Sequence, residues 1–127
     1  MKTKCALTLA MLGGAVLGAA AVQALHAQAK PPAYVVVELD VQKPDEFKDE
    51  FLPLASKVFK EAGGKFLARP GIATAIDGTP PQRVAVIAFD SLDKAVATFG
   101  SAEYKEARKT GDKYAKFHIF AVEGLAP

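Results

Sequence analysis

Six side chains in this sequence have the type and setting to do chemistry. Arg69 ends an apolar stretch and precedes Pro70-Gly71, a break able to aim a guanidinium into a cleft. There it would hold a carboxylate or an enolate through two parallel hydrogen bonds. At a strand end it would equally serve as a structural partner for Glu38 or Asp40. His118 lies between Phe117 and Ile119; an imidazole can act as a general base near neutral pH, or simply sit in a sheet. Glu38 and Asp40 are two residues apart, so on a strand they share one side. Either could accept a proton from a substrate, or pair with Arg69 or Arg83. Tyr34 and Tyr104 offer hydroxyls to a pocket, or pack as aromatics with their polar tips in water.

These residues complete no catalytic motif. His118 by itself falls short of a zinc site, which takes three or four protein ligands, so no metal and no nucleotide or other cofactor is expected. No glycine-rich phosphate loop is present. Ser91-Leu92-Asp93-Lys94 matches an S-x-x-K pattern, but its partner motifs are missing and Ser91 reads as a helix cap.

The start of the chain narrows the field further. Lys2 and Lys4 precede an uncharged run from residue 5 to residue 22, and Ala27-Gln28-Ala29 follows. A positive start, an apolar middle and an A-x-A site make a secretory signal peptide, cleaved after residue 29. The run nears the roughly 18 residues that span a bilayer, so an uncleaved anchor is the other reading. Many Gly and Ala residues make it weakly apolar, which favours cleavage and contact with the membrane only in transit. The expected product is periplasmic or secreted.

Removing residues 1–29 from 127 leaves 98, enough for one core and too few for two domains. Cys5 and His26 leave with the leader, so neither a disulfide nor a thiol nucleophile is available. Lys2 and Lys4 are two of the 16 basic residues, so 14 remain against 14 acidic ones. The pI of about 8.7 is therefore set by the leader. A neutral domain gives no electrostatic reason for a nucleic-acid partner. Lys105, Arg108, Lys109, Lys113 and Lys116 form a basic stretch, but interspersed acids make it a solvated helix face.

The elements that must position these groups follow from periodicity. After a linker at 30–32, residues 34–41 alternate as a strand, with Val35, Val37 and Leu39 on one side. Pro44 starts a helix with acids in its first turn. Phe47, Phe51, Leu54, Val58 and Ala62 form its buried stripe, Pro53 kinks it, and Gly63-Gly64 ends it. Residues 65–69 make a strand that breaks at Pro70-Gly71 and resumes over 72–76. Asp77-Gly78 turns the chain into a strand at 83–89, apolar enough to be buried on both faces. Ser91 caps a helix carrying Leu92, Ala95, Val96 and Phe99 inward. Gly100 breaks it, and Ser101 caps another with Tyr104 and Ala107 inside, ended by Gly111. Residues 117–122 form the last strand. The order β-α-β-β-α-β predicts an α+β, ferredoxin-like domain at 33–125: a four-stranded antiparallel sheet with helices on one face. The other face is too apolar to stay wet, so a homodimer through sheet faces is expected.

Several segments look like successive landmarks of one known domain. They are Leu39-Asp40-Val41 with Pro44, Gly63-Gly64-Lys65-Phe66-Leu67-Ala68-Arg69, Pro81-Gln82-Arg83, Ser101-Ala102-Glu103-Tyr104-Lys105-Glu106-Ala107 and Val122-Glu123-Gly124. In that order they resemble the domain of unknown function family 1330, within the dimeric α+β barrel superfamily. The resemblance implies a ferredoxin-like protomer and a dimer. It also implies kinship with cofactor-independent monooxygenases, muconolactone isomerases and stress-responsive barrels. Val35 stands where the family often has a bulky aromatic, Pro70 interrupts a usual small-residue step, and the leader is a further departure. The function expected is binding or processing of a small organic molecule without metal or nucleotide; the alternative is a non-catalytic envelope protein that binds a ligand or another protein.

Overall fold

The computed structural model describes residues 30–127; the expected signal peptide at 1–29 lies outside the described residues. Strand β1 (Ala33–Val41) leads into a helical run of three continuous pieces: α1 (Pro44–Glu46), a π-helical turn (Phe47–Phe51) and α2 (Leu52–Glu61). Strands β2 (Lys65–Ile72) and β3 (Arg83–Phe89) follow. Helices α3 (Leu92–Phe99) and α4 (Ala102–Gly111) precede the last strand, β4 (Ala115–Glu123). The sheet order is β2-β3-β1-β4 with every neighbour antiparallel, which is the ferredoxin-like arrangement. Among the described residues no helix is long and apolar enough to cross a membrane.

The helices bury one face of the sheet. Val35, Val37, Leu39 and Val41 of β1 and Ala85, Ile87 and Phe89 of β3 point into the core. Phe59 of α2 stands at its centre, 5.2 to 6.3 Å between ring centroids from Phe66, Phe89, Phe99 and Tyr104. One side chain thus ties two strands to two helices, edge-on to Phe66 and Phe89, tilted to Phe99 and stacked on Tyr104. A second cluster joins Phe47, Phe51 and Phe117. The caps form as expected: the amides of Lys94 and Tyr104 donate to the hydroxyls of Ser91 and Ser101, each at 3.2 Å. Gly63 adopts φ +79° at the end of α2, a conformation that glycine takes without strain.

Four expectations need correction. The turn before Pro53 widens, and the amide of Leu52 donates to the carbonyl of Phe47, five residues back. The buried stripe is consequently Phe47, Phe51, Ala55 and Phe59, while Leu54 is 45% exposed. Val96 also faces out, at 63% exposed, and Thr98 is buried in its helix instead. Strand β2 runs unbroken through Pro70-Gly71, and residues 73–76 lie outside any strand. It is an edge strand, where a missing amide hydrogen costs the ladder least. Two register shifts absorb the irregularity, one between Phe66 and Ala68 and one between Ala68 and Gly71. Finally, β3 is buried on one face within the chain, with Val84, Val86 and Ala88 only half-buried on the other.

The end of α4 gives a direct test of this packing. A methyl group added at Gly111 would lie 2.6 Å from Cδ1 of Phe51 and 2.9 Å from Cζ of Phe117. Overpacking of this kind costs about 1–3 kcal/mol and outweighs the ~1 kcal/mol that Ala gains over Gly in a helix. Gly111→Ala is expected to lower the thermal midpoint by roughly 4–8 °C for each net kcal/mol. An unchanged or higher midpoint in a melting curve would contradict the placement of the two rings.

Candidate functional site

The sheet divides the six candidate residues between its two sides. Glu38 and His118 are cross-strand partners on the open face, and Nδ1 of His118 stands 2.9 Å from Oε2 of Glu38. A carboxylate can only accept, so the imidazole donates through Nδ1–H. The His118 side chain is 77% exposed and that of Glu38 33%, so the pair adds little to stability by itself. Asp40 lies one step along the same face, opposite Lys116. These four residues, with Pro81 and Gln82, line a shallow hollow of about 220 Å³. The amide of Val41 donates to Oε1 of Gln82 at 2.6 Å, which fixes the adjoining loop to β1. Tyr34 is on the open face too, but four residues from Glu38, or about 13 Å along a strand. Its ring packs so closely on Gly124 that a Cβ there would come within 2.6 Å of it.

Arg69 and Tyr104 belong to the other side. Between the sheet and the helical run lies an apolar cavity of about 20 Å³, room for one water, walled by Leu39, Phe51, Phe59, Ile87, Tyr104 and Phe117 among others. Leu52, Phe59, Phe66 and Pro70 line this cavity and also an adjoining groove of about 850 Å³. Arg69 is on the rim of that groove, at the second register shift of β2, with its side chain exposed. A bulge on an edge strand commonly re-aims a side chain in this way. Among the described residues, Arg69 has no ion pair or hydrogen bond with Glu38, Asp40 or any other residue. Tyr104 is 4% exposed, its ring 4.7 Å from that of Phe99. Burial raises its phenol pKa, outweighing the nearby Arg108 guanidinium, which pulls the other way. Arg108 itself lies 3.9 Å over the ring of Phe117 and is 2.7 Å from Asp112.

Arg69 and Tyr104 therefore border two adjoining spaces that share four walls, while Glu38, Asp40 and His118 gather on the opposite face of the sheet. They do not converge on one site within a protomer. Two residues of the groove went unnoticed in the sequence, Lys48 and Lys60. They fall with Leu52 and Ser56 at every fourth position, the row next to the buried stripe, and that spacing was the available signal. Among the described residues no group of three or more His, Cys, Asp or Glu is placed to hold a metal ion.

Comparison with known proteins bears on the whole domain. The family model described as Domain of unknown function (DUF1330) matches residues 32–125. The chain belongs to this family. No curated protein matches it. Among solved structures it is similar to a protein of unknown function from Rhodopseudomonas palustris, with 19% identity and a TM-score of 0.58 over 84% of this chain and 93% of that one. A putative antibiotic biosynthesis monooxygenase from Caulobacter crescentus is 22% identical, with a TM-score of 0.56 over 76% and 92% of the two chains. SnoaB, a cofactor-independent oxygenase from Streptomyces nogalater, is 12% identical, with a TM-score of 0.53 over 76% and 96%. At these identities the shared feature is the fold.

The buried phenol makes a pH-dependent prediction. An acid whose folded pKa is raised contributes stability that is intact below its unfolded value, about pH 10 for tyrosine, and lost as pH rises through the folded value. Tyr104→Phe keeps the ring and removes the ionisation. Denaturant unfolding between about pH 7 and about pH 11 is expected to show the wild type losing more stability than the variant above pH ~10. Parallel curves would contradict burial of this hydroxyl.

Proposed function

We propose that this DUF1330 protein is exported, and that it binds a small organic molecule in the space between sheet and helices, without a metal or nucleotide. The observation that carries this reading is the apolar cavity sharing four walls with a groove that Arg69 borders. Ligand sites are commonly apolar clefts of about 300–1,000 Å³ with a few polar groups that fix orientation. Arg69 supplies one such group. Two copies pair through their open sheet faces, where Phe120 is 45% and Val122 55% exposed beside half-buried Val36, Val86 and Ala88. Apolar surface of this kind favours association.

Binding is favoured over proton abstraction by what the cavity lacks. Tyr104 is the one titratable residue in its wall, and its pKa is raised, so at neutral pH it is a donor and not a base. His118 and Glu38, the candidate bases, are on the far side of the sheet. The oxygenase fold shared with SnoaB keeps cofactor-free oxygenation of an enolisable compound as the catalytic form of this proposal, with Arg69 holding the developing enolate.

A thermal-shift screen of small organic molecules is expected to give hits that Arg69→Ala weakens and His118→Ala leaves unchanged. Loss of the same hits in both variants would overturn the placement of the site. Sedimentation of the 30–127 product at micromolar concentration is expected to show a dimer, and Val86→Glu with Phe120→Glu a monomer; a monomeric wild type removes the sheet-to-sheet reading. Intact mass of the exported protein is expected to correspond to a chain beginning at Lys30, and a full-length mass would contradict cleavage.

A further inference from the structure

We infer that the ligand is an amphipathic organic anion: an apolar body carrying a single carboxylate, held by Lys48, Lys60 and Arg69 at the mouth of the groove. This rests on the reading that the space between sheet and helices takes an organic molecule, and it specifies the chemical class.

The first support is the sign of the charge. The groove is lined by ten residues, of which Lys48, Lys60 and Arg69 are cations and none is an acid. The expected mature chain carries equal numbers of basic and acidic residues, so a lining with cations alone is a local feature and not a reflection of composition. Neither Asp49, next to Lys48, nor any other neighbouring acid is among the groove's lining residues. Glu61, next to Lys60, lines a separate hollow with Glu103, between α2 and the start of α4. Asp45 lines a smaller adjoining hollow, where Lys48 and Arg83 offset it. No ion pair engages Lys48, Lys60 or Arg69 among the described residues. All three are exposed at the ends of long side chains, free to close on a bound anion.

The second support is the floor. The walls that groove and cavity share are Leu52, Phe59, Phe66 and Pro70, all without a polar side-chain atom. A hydrophilic anion such as phosphate would gain nothing from this surface, and a neutral hydrocarbon would gain nothing from the rim. A molecule with both parts uses both. Its carboxylate accepts two parallel hydrogen bonds from the guanidinium of Arg69, and its apolar part leaves water for the floor.

Matched pairs of probes differing only in charge test the inference on the protein beginning at Lys30: decanoate against decanol, and 2-naphthoate against 2-naphthalenemethanol, by calorimetry. For at least one pair the acid is expected to bind roughly tenfold tighter than the alcohol. The preference should shrink in high salt and vanish when Lys48→Ala, Lys60→Ala and Arg69→Ala are combined, with Arg69→Lys keeping part of it. The three residues are exposed, and unchanged melting of the variants will confirm that they fold. Acids and alcohols binding equally would overturn the anionic class and leave the apolar site standing. A preference surviving in the triple variant would place the anion elsewhere and overturn the assignment. Absence of saturable binding for all four probes at millimolar concentration would overturn the class and the site together.

Discussion

Pro53 has no amide hydrogen to give to the carbonyl of residue 49, and in a regular α-helix its ring would collide with that carbonyl. The turn before it relieves both problems by widening to π geometry over Phe47–Phe51. A wider turn changes which residues share a face. Instead of alternating steps of three and four, the buried positions advance by four throughout, as Phe47, Phe51, Ala55 and Phe59. The neighbouring row advances with them as Lys48, Leu52, Ser56 and Lys60, and this row forms one side of the groove. The core's central aromatic and two of the groove's three cations thus lie on adjacent rows of one helical run.

The sheet imposes the second division. Side chains on a strand alternate between faces, so a residue's parity along β1 and β4 decides which chemistry it can join. Val37, Leu39 and Phe117 face the cavity; Glu38, Asp40 and His118 cannot. Shifting β1 by one residue would bury Glu38 and Asp40 among phenylalanines, and shifting β4 would bury His118, at a cost no local contact could offset. The register is therefore set by the core, and the Glu38–His118 contact follows from it. This explains why the two residues meet despite lying 80 positions apart in the chain.

Much of this was legible in the sequence, for identifiable reasons. The alternation of β1, the caps at Ser91 and Ser101 and the glycine at 63 are local signals, and each produced the element expected. The common side of Glu38 and Asp40 was legible for the same reason. Strand order is not local. That β2 lies at the edge could not be read from its own residues, and so Pro70 was taken for a break when the edge tolerates it. Ordinary helical spacing places Leu54 in the buried stripe, where the structure has Ala55, while Val58 and Ala62 do pack against the core. Lys48 and Lys60 share a four-residue spacing in the sequence, but which row borders a groove depends on where β2 lies. Tyr104 on an inner helix face was predicted, but its place in the cavity wall depends on Phe59 and Phe117 reaching it from other elements.

The same facts bear on how a ligand could enter a cavity that holds one water. The cluster that joins Phe59 to Phe89, Phe99 and Tyr104 ties β3, α2, α3 and α4 together and is not the part that yields, because moving it would disturb every layer at once. Strand β2 is different. It contains no fully buried residue, has a neighbour on one side only, and keeps a ladder interrupted by two register shifts. Local opening concentrates where burial is small and hydrogen bonds are irregular. Phe66 and Pro70, two of the four walls shared by cavity and groove, are carried by this strand. Displacing it outward enlarges the cavity without separating the strands that hold the core. The bulge that leaves Arg69 on the rim is thus part of the same irregularity that makes the rim movable.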